Sequence, residues 1–373
     1  MLMTVVLLAC TSPGESSTSA SSSRTNPSPT ASVPASQTKA ADLRTQLDLL
    51  LAEQVMIVFK QASAAANHSD EFSGYAALLS VNSADLSNVA RSAFGDSAAT
   101  QVSQEWDAQN AGLVEYTVGV VAHDSGKASA AMSGLTSTFV PQFAQLLTTL
   151  TQVPLDPLTQ LLTQQVLLDK AAIDDAAAQK YSSLYPDVHT AYAQSSRLGD
   201  ALAPRIAQKF PDKFPGDAAA KAVDQRVGLN LLLQEHAYLS TMLGDAAANA
   251  RSGDQAAATA ALASNADALG TAYSALRGAA DATRFDQVWA ARDAAIATYA
   301  TSADAASRTA LSTTFVSDFT ALTHVGQQPV GDQVTALLKV LDEQRSKSYT
   351  TLAQDDRSAA TATQPIADAL VES

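Results

Sequence analysis

Apolar residues recur along this chain at spacings of three and four, the period of a helix that buries one face. Leu43, Leu47, Leu50, Leu51, Ile57 and Val58 mark one stripe, and Leu229, Leu232, Leu233 and Leu239 mark another. Alternating runs of Val, Ile or Thr, the signature of strands, are nearly missing. The pattern predicts an all-α protein. Turn formers and capping residues set the expected helix boundaries at Asn67 to Asp70, Gly95-Asp96, Asp124-Ser125-Gly126, Pro154 to Pro157, Tyr185-Pro186, Gly253-Asp254 and Gly326 to Gly331.

The pattern also repeats within the chain. Leu47-Asp-Leu-Leu-Leu-Ala-Glu53 matches Leu229-Asn-Leu-Leu-Leu-Gln-Glu235, Asn82 and Leu86 match Asn265 and Leu269, and Trp106 and Tyr116 match Trp289 and Tyr299. Further on, Asp124 pairs with Asp304, Leu135, Phe139 and Phe143 with Leu311, Phe315 and Phe319, and Leu161-Leu162 with Leu337-Leu338. Two tandem, homologous antiparallel bundles are expected, residues 41–215 and 216–373, each of about five or six helices. Lys209-Phe-Pro-Asp-Lys-Phe-Pro-Gly216 is the joint, because two prolines and a glycine do not continue a helix. A solenoid is the alternative, although a period of roughly 180 residues is far longer than solenoid repeats. The second copy has no clear counterpart of residues 180–192.

The N-terminus breaks this pattern. Residues 1–9 form an apolar run that ends in Leu7-Leu8-Ala9 before Cys10, the only cysteine. This is the layout of a lipoprotein signal peptide, with Cys10 lipidated as the first mature residue, although residues 1–9 carry no Lys or Arg. Residues 11–40 hold ten Ser, five Thr and four Pro and no aromatic side chain, so residues 10–40 are expected to be a disordered tether. Its reach as a flexible coil is roughly 30 Å. No other uninterrupted apolar run approaches about 18 residues, so no transmembrane helix is expected.

Charge narrows the partners. A formal net charge of −14 disfavours nucleic acid and anionic lipid surfaces, both of which need an excess of Lys and Arg. The expected contacts are the membrane, through the lipid anchor, and a protein of the cell envelope.

Among polar positions shared by the two copies, Asp124 and Asp304 precede helices and read as caps, and Asn82 and Asn265 as caps or bridges. Glu53 and Glu235 lie mid-helix beside apolar stripes, where a carboxylate needs a cation, a donor or water. His236 shares its stripe with Leu229 to Leu239, and a helix carrying Trp289, Arg292 and Asp293 is free to face it. His236, Glu235 and Asp293 are therefore the candidate ligands for copper, iron or zinc, confined to the second copy because Gln54 replaces the histidine in the first. The competing reading of His236 is a hydrogen-bonded core histidine. His68, His123, His189 and His324 fall near turns or between helices and assemble no site. Asp174-Asp175 and Asp355-Asp356 read as surface charge, and the motifs of hydrolases, phosphate-binding loops and zinc proteases are missing. No enzyme activity is expected.

Several motifs together resemble a family of secreted bacterial all-helical proteins built from a duplicated ferritin/hemerythrin-like bundle unit. They are Leu232-Leu233-Gln234-Glu235-His236, Asn265-x3-Leu269, Trp289-x9-Tyr299, Ala191-Tyr192, Leu198-Gly199-Asp200-x-Leu202-Ala203 and Lys209-Phe210-Pro211-x-Lys213-Phe214. The resemblance implies histidines after the first Glu of each copy, three residues after Trp and two after Ala-Tyr; this chain has Gln54, Gln109, Arg292 and Gln194 there, and only His236 matches. The expected function is a lipid-anchored extracytoplasmic binding or scaffold module, with a metal-binding bundle as the alternative.

Overall fold

A computed structural model describes residues 33–372, and among these the chain is all helix, with no strand. The signal peptide, Cys10 and most of the tether lie outside the described residues. Seven α-helices precede the joint: α1 (Lys39–Ala66), α2 (Glu71–Phe94), α3 (Asp96–Val121), α4 (Ser125–Gly134), α5 (Val140–Thr151), α6 (Leu155–Ala177) and α7 (Tyr181–Lys209). Eight follow: α8 (Lys221–Ala248), α9 (Ser252–Arg277), α10 (Ala279–Ser302), α11 (Ala305–Thr309), α12 (Val316–Thr323), α13 (Gln327–Ser346), α14 (Leu352–Thr361) and α15 (Gln364–Glu372).

Order begins earlier than the Ser/Thr/Pro composition predicts. Ala35–Gln37 forms a 3-10 turn, and Thr38 caps α1 by accepting a hydrogen bond from the Ala41 amide at 3.2 Å. The Ser36 carbonyl accepts from Arg226 Nη1 at 2.9 Å, and the Ala40 amide donates to the Pro215 carbonyl at 3.3 Å. Partners more than 170 positions away fix this segment, which composition does not encode. Residues 34–40 therefore belong to the fold rather than to the tether.

Two helices organise the core. α1 packs against α2, α6, α7 and α8, and α8 packs against α9, α10, α13, α14 and α15. α1 has the length and composition of a membrane-spanning helix, contrary to the sequence expectation, but 83% of its most apolar window is buried inside the protein. Such burial is what a central core helix requires. Apolar side chains from both sides of the joint, among them Val55, Phe143, Leu243 and Phe285, belong to one continuous cluster.

Corresponding stretches of the two halves repeat local detail. Asp124 accepts from the Lys127 amide at 2.9 Å, and Asp304 from the Ser307 amide at 2.8 Å. Single π-helical turns, Leu135–Phe139 and Ala310–Phe315, then interrupt otherwise continuous helices. They carry phenylalanines to the tryptophans: Phe143 lies 5.7 Å from Trp106, and Phe319 5.8 Å from Trp289. Thr151 and Thr323 close α5 and α12 alike, each hydroxyl donating to the carbonyl four residues back at 2.7 Å.

Three sequence expectations need correction. α12 has 8 residues where α5 has 12, so one turn is lost between Phe319 and Thr323. The burial pattern accordingly aligns Leu158, Leu162 and Val166 of α6 with Val330, Val334 and Leu338 of α13, which displaces the pairing of Leu161-Leu162 with Leu337-Leu338 by one turn. Tyr185-Pro186 is no boundary either. α7 starts at Tyr181 and runs through Pro186 and Pro204, the prolines costing backbone bonds that burial of Tyr185, Val188, Tyr192 and Ile206 offsets. Finally, α14 stands where a counterpart of residues 180–192 was missing. It reaches across to α2 as α7 reaches across to α9.

Candidate functional site

The two mid-helix glutamates are paired with basic side chains carried by the crossing helices. Glu53, on α1, accepts from Arg357 of α14 through Oε1 to Nε at 3.0 Å and Oε2 to Nη2 at 3.0 Å. Arg357 Nη2 also donates to Asp85 Oδ2 at 2.6 Å. Asn82 donates to Glu53 Oε2 and to the Leu50 carbonyl, both at 2.9 Å, while its own Oδ1 accepts from Trp106 Nε1 at 3.3 Å. Asn82 is thus a bridge between α1, α2 and α3, as its repeat position allowed. Burial of Arg357 opposes its charge, but hydrogen bonding to Glu53 and the charges of Glu53 and Asp85 raise its pKa further still.

Glu235 on α8 repeats the arrangement with a histidine in place of the arginine. Its Oε1 lies 2.7 Å from His189 Nδ1 of α7, and its Oε2 accepts from Asn265 Nδ2 at 2.9 Å. Asn265 also donates to the Leu232 carbonyl at 3.1 Å, as Asn82 does to Leu50. His189, expected to stand apart, is therefore a partner of the second glutamate; the hydrogen bond to Glu235 raises its pKa against the opposing effect of burial. The other three histidines do sit at turns. His68, His123 and His324 hold φ of 52°, 56° and 61° just past helix ends, a conformation histidine tolerates better than most residues.

The three candidate metal ligands do not gather at one point. His236 Nε2 lies 3.0 Å from Asp293 Oδ1, and its Nδ1 lies 3.1 Å from Asn265 Oδ1. Glu235, one residue along the helix and so turned by roughly 100°, faces His189 instead. Arg292 Nη1 stands 3.7 Å from the same Asp293 oxygen, and its guanidinium packs 4.9 Å from the Trp289 ring and 5.2 Å from Phe315. Burial lowers the Arg292 pKa to about 10, a shift that the Asp293 charge opposes. Two donors beside a guanidinium fit an added metal cation poorly. Among the described residues no group of three or more His, Cys, Asp or Glu has a metal-holding arrangement.

The positions at which the resemblance implies histidine nevertheless converge. In the first half, Gln54, Gln109 and Gln194 line one small cavity with Trp106 and Gln165. In the second, His236 and Arg292 line the cavity beside Trp289 with Gln333, whose Oε1 accepts from Arg292 Nη2 at 3.2 Å. An imidazole, a guanidinium and amides thus occupy matching interior places.

A cleft of ≈ 410 Å³ opens where the halves meet, lined by Arg226, Arg357, Glu53, Asp85, Gln46 and Gln234, among others. Both of its arginines are neutralised. Arg357 is held by Glu53 and Asp85, and Arg226 by Asp42 at 2.6 Å and Asp368 at 2.7 Å. Four carboxylates surround the two arginines, so an anion finds no free positive charge there, whereas a ligand with many hydroxyls finds donors and acceptors side by side.

At another place between the halves lies a buried ion pair. Asp356, read as surface charge, is fully buried and pairs with Lys60, accepting also from Tyr75 at 2.9 Å and Thr241 at 2.8 Å. Asp174 likewise accepts from Tyr116 at 2.6 Å. The clue for Asp356 was its spacing, since Leu352, Ala359 and Ala360 share its face and are all buried. Arg357 gave only a weaker clue of this kind, between Ala353 and Ala360, and nothing local to either residue names its partner.

No protein-family model, curated protein or solved structure matches this chain.

Proposed function

We propose that this protein is a lipid-anchored, extracytoplasmic binding module made of two related helical bundles, with the seam cleft as its ligand surface. The cleft carries the reading. It is the roomiest of the cavities described above, and its amides, hydroxyls and already paired charges suit a small, uncharged, multiply hydroxylated ligand. A Ser/Thr/Pro tether behind a lipidated Cys10 would present that surface beyond the membrane, to solutes or to an envelope partner. The matched caps, π-turns and Glu–Asn pairs support descent of the two halves from one bundle unit of the ferritin/hemerythrin-like kind.

Two experiments test this. Detergent-phase partitioning of the full chain, lost in Cys10→Ser, is the result expected for the anchor; unchanged partitioning removes it. For the cleft, thermal stabilisation is measured with polyols, sugars, amino acids and simple anions, in wild type and in Gln46→Trp, which places bulk on an exposed cleft wall. Stabilisation by a hydroxylated ligand that disappears in Gln46→Trp is expected. Stabilisation by none, or equally in both proteins, defeats the cleft as a ligand surface.

A second reading, a transition-metal bundle, rests on the 3.0 Å approach of His236 to Asp293. Elemental analysis of the purified full chain and its His236→Ala variant decides it: stoichiometric copper, iron or zinc that the variant loses is required.

A further inference from the structure

The cavity beside Trp106 has a volume of ≈ 20 Å³, and Gln54, Gln109, Gln165 and Gln194 line it together with Leu51, Leu161 and other mainly apolar side chains. Gln109, Gln165 and Gln194 are exposed by only 1%, 8% and 5%, yet Gln109 Oε1, Gln165 Oε1 and Gln194 Nε2 have no hydrogen-bond partner among the described residues. Buried polar atoms are seldom left so. Two of the remaining amide groups are held in place. Gln165 Nε2 donates to Asp169 Oδ1 at 2.8 Å, which turns Gln165 Oε1 away from that carboxylate, and Gln54 Nε2 donates to Asn110 Oδ1 at 3.1 Å.

We propose that this cavity is a specific site for one internal water molecule, which donates to Gln109 Oε1 and Gln165 Oε1 and accepts from Gln194 Nε2. Water is the ligand complementary to these three atoms. A metal ion or ammonium would meet the Gln194 N–H, and an anion would meet two carbonyl oxygens; water alone of these offers two donors and an acceptor. The volume agrees, since a cavity needs about 10–15 Å³ of this measure to hold a water, which then makes about three hydrogen bonds. The corresponding place in the second half differs in kind. There the cavity is ≈ 10 Å³, and the Arg292 guanidinium, packed against Trp289 and Phe315, supplies the polar group from the protein itself. The inference does not depend on the seam cleft or on the lipid anchor.

The test is a high-resolution crystal structure of the protein, paired with oxygen-17 magnetic relaxation dispersion in solution to count long-lived internal waters. A density peak within hydrogen-bond distance of all three atoms is expected, with one long-lived water fewer in Gln194→Met. Should that variant fail to fold, the wild-type density decides alone. Three results overturn the proposal: an empty cavity, the three amides rotated to bond one another, or an anomalous signal from a cation with Gln194 turned to present its oxygen.

Discussion

Arg357 and Glu53 lie 304 positions apart in the chain and meet through two hydrogen bonds of 3.0 Å, so that the end of the molecule is fastened to its first long helix. The Glu53 side chain is 3% exposed and that of Arg357 14%. Removing one partner of such a pair strands the other charge. Arg357→Ala is expected to cost about 3 kcal/mol in urea unfolding, in line with other buried pairs broken on one side. A cost below about 1 kcal/mol, the level of an exposed pair, would mean that water replaces the guanidinium.

His189 holds Glu235 as Arg357 holds Glu53, but the histidine side chain is 60% exposed and can lose its charge. Its pKa is raised in the folded protein, chiefly by the hydrogen bond to Glu235. The stability it contributes is therefore full below the unfolded pKa of about 6.5 and is lost as pH rises through the folded value. NMR titration of His189 should show a raised pKa that drops back in Glu235→Gln. An identical titration in both proteins would separate the two residues.

Glu71 behaves in the opposite sense to a paired carboxylate. Burial first, then the Asp245 charge, lifts its pKa to about 8, with Lys60 and Arg251 opposing and Asp356 adding to the rise. The unfolded chain releases this proton near 4.5 and the folded chain only near 8, so stability falls with rising pH between those values. The slope is on the order of 1 kcal/mol per pH unit. Asp169, lifted to about 7 by burial, adds a fall of the same sign between 3.8 and 7. Glu71→Gln should flatten the profile and be the more stable protein at pH 8; a variant that keeps the wild-type slope contradicts the assignment.

Two glycines give opposite expectations. A Cβ on Gly199 of α7 would stand 1.8 Å from Asp48 Oδ1, and Asp48 is fully buried on α1. Gly199→Ala should destabilise by about 3 kcal/mol, toward the upper end of overpacking costs. Gly228, within α8, has nothing within 4 Å of its would-be Cβ, so Gly228→Ala should stabilise by about 0.5–1 kcal/mol through helix propensity. Thermal unfolding of the two variants side by side checks both, and equal effects would refute the close packing of α7 on α1.

The sequence by itself determined the helices and most of their ends, because helical periodicity and capping act over a few neighbouring residues. Asp124 and Asp304 were legible as caps for that reason, and Asn82 and Asn265 as matched positions that either cap or bridge, of which packing selected the bridge. Tertiary structure alone decided the partners of the buried charges. Nothing near Glu53 points to Arg357, nor near Lys60 to Asp356, since such pairs form only when distant helices pack. The same cause separated Glu235 from His236: adjacency in sequence brought them together on paper, and helical rotation sent one toward His189 and the other toward Asp293. The ordering of residues 34–40 was likewise settled by contacts across the fold, where local composition carries no information.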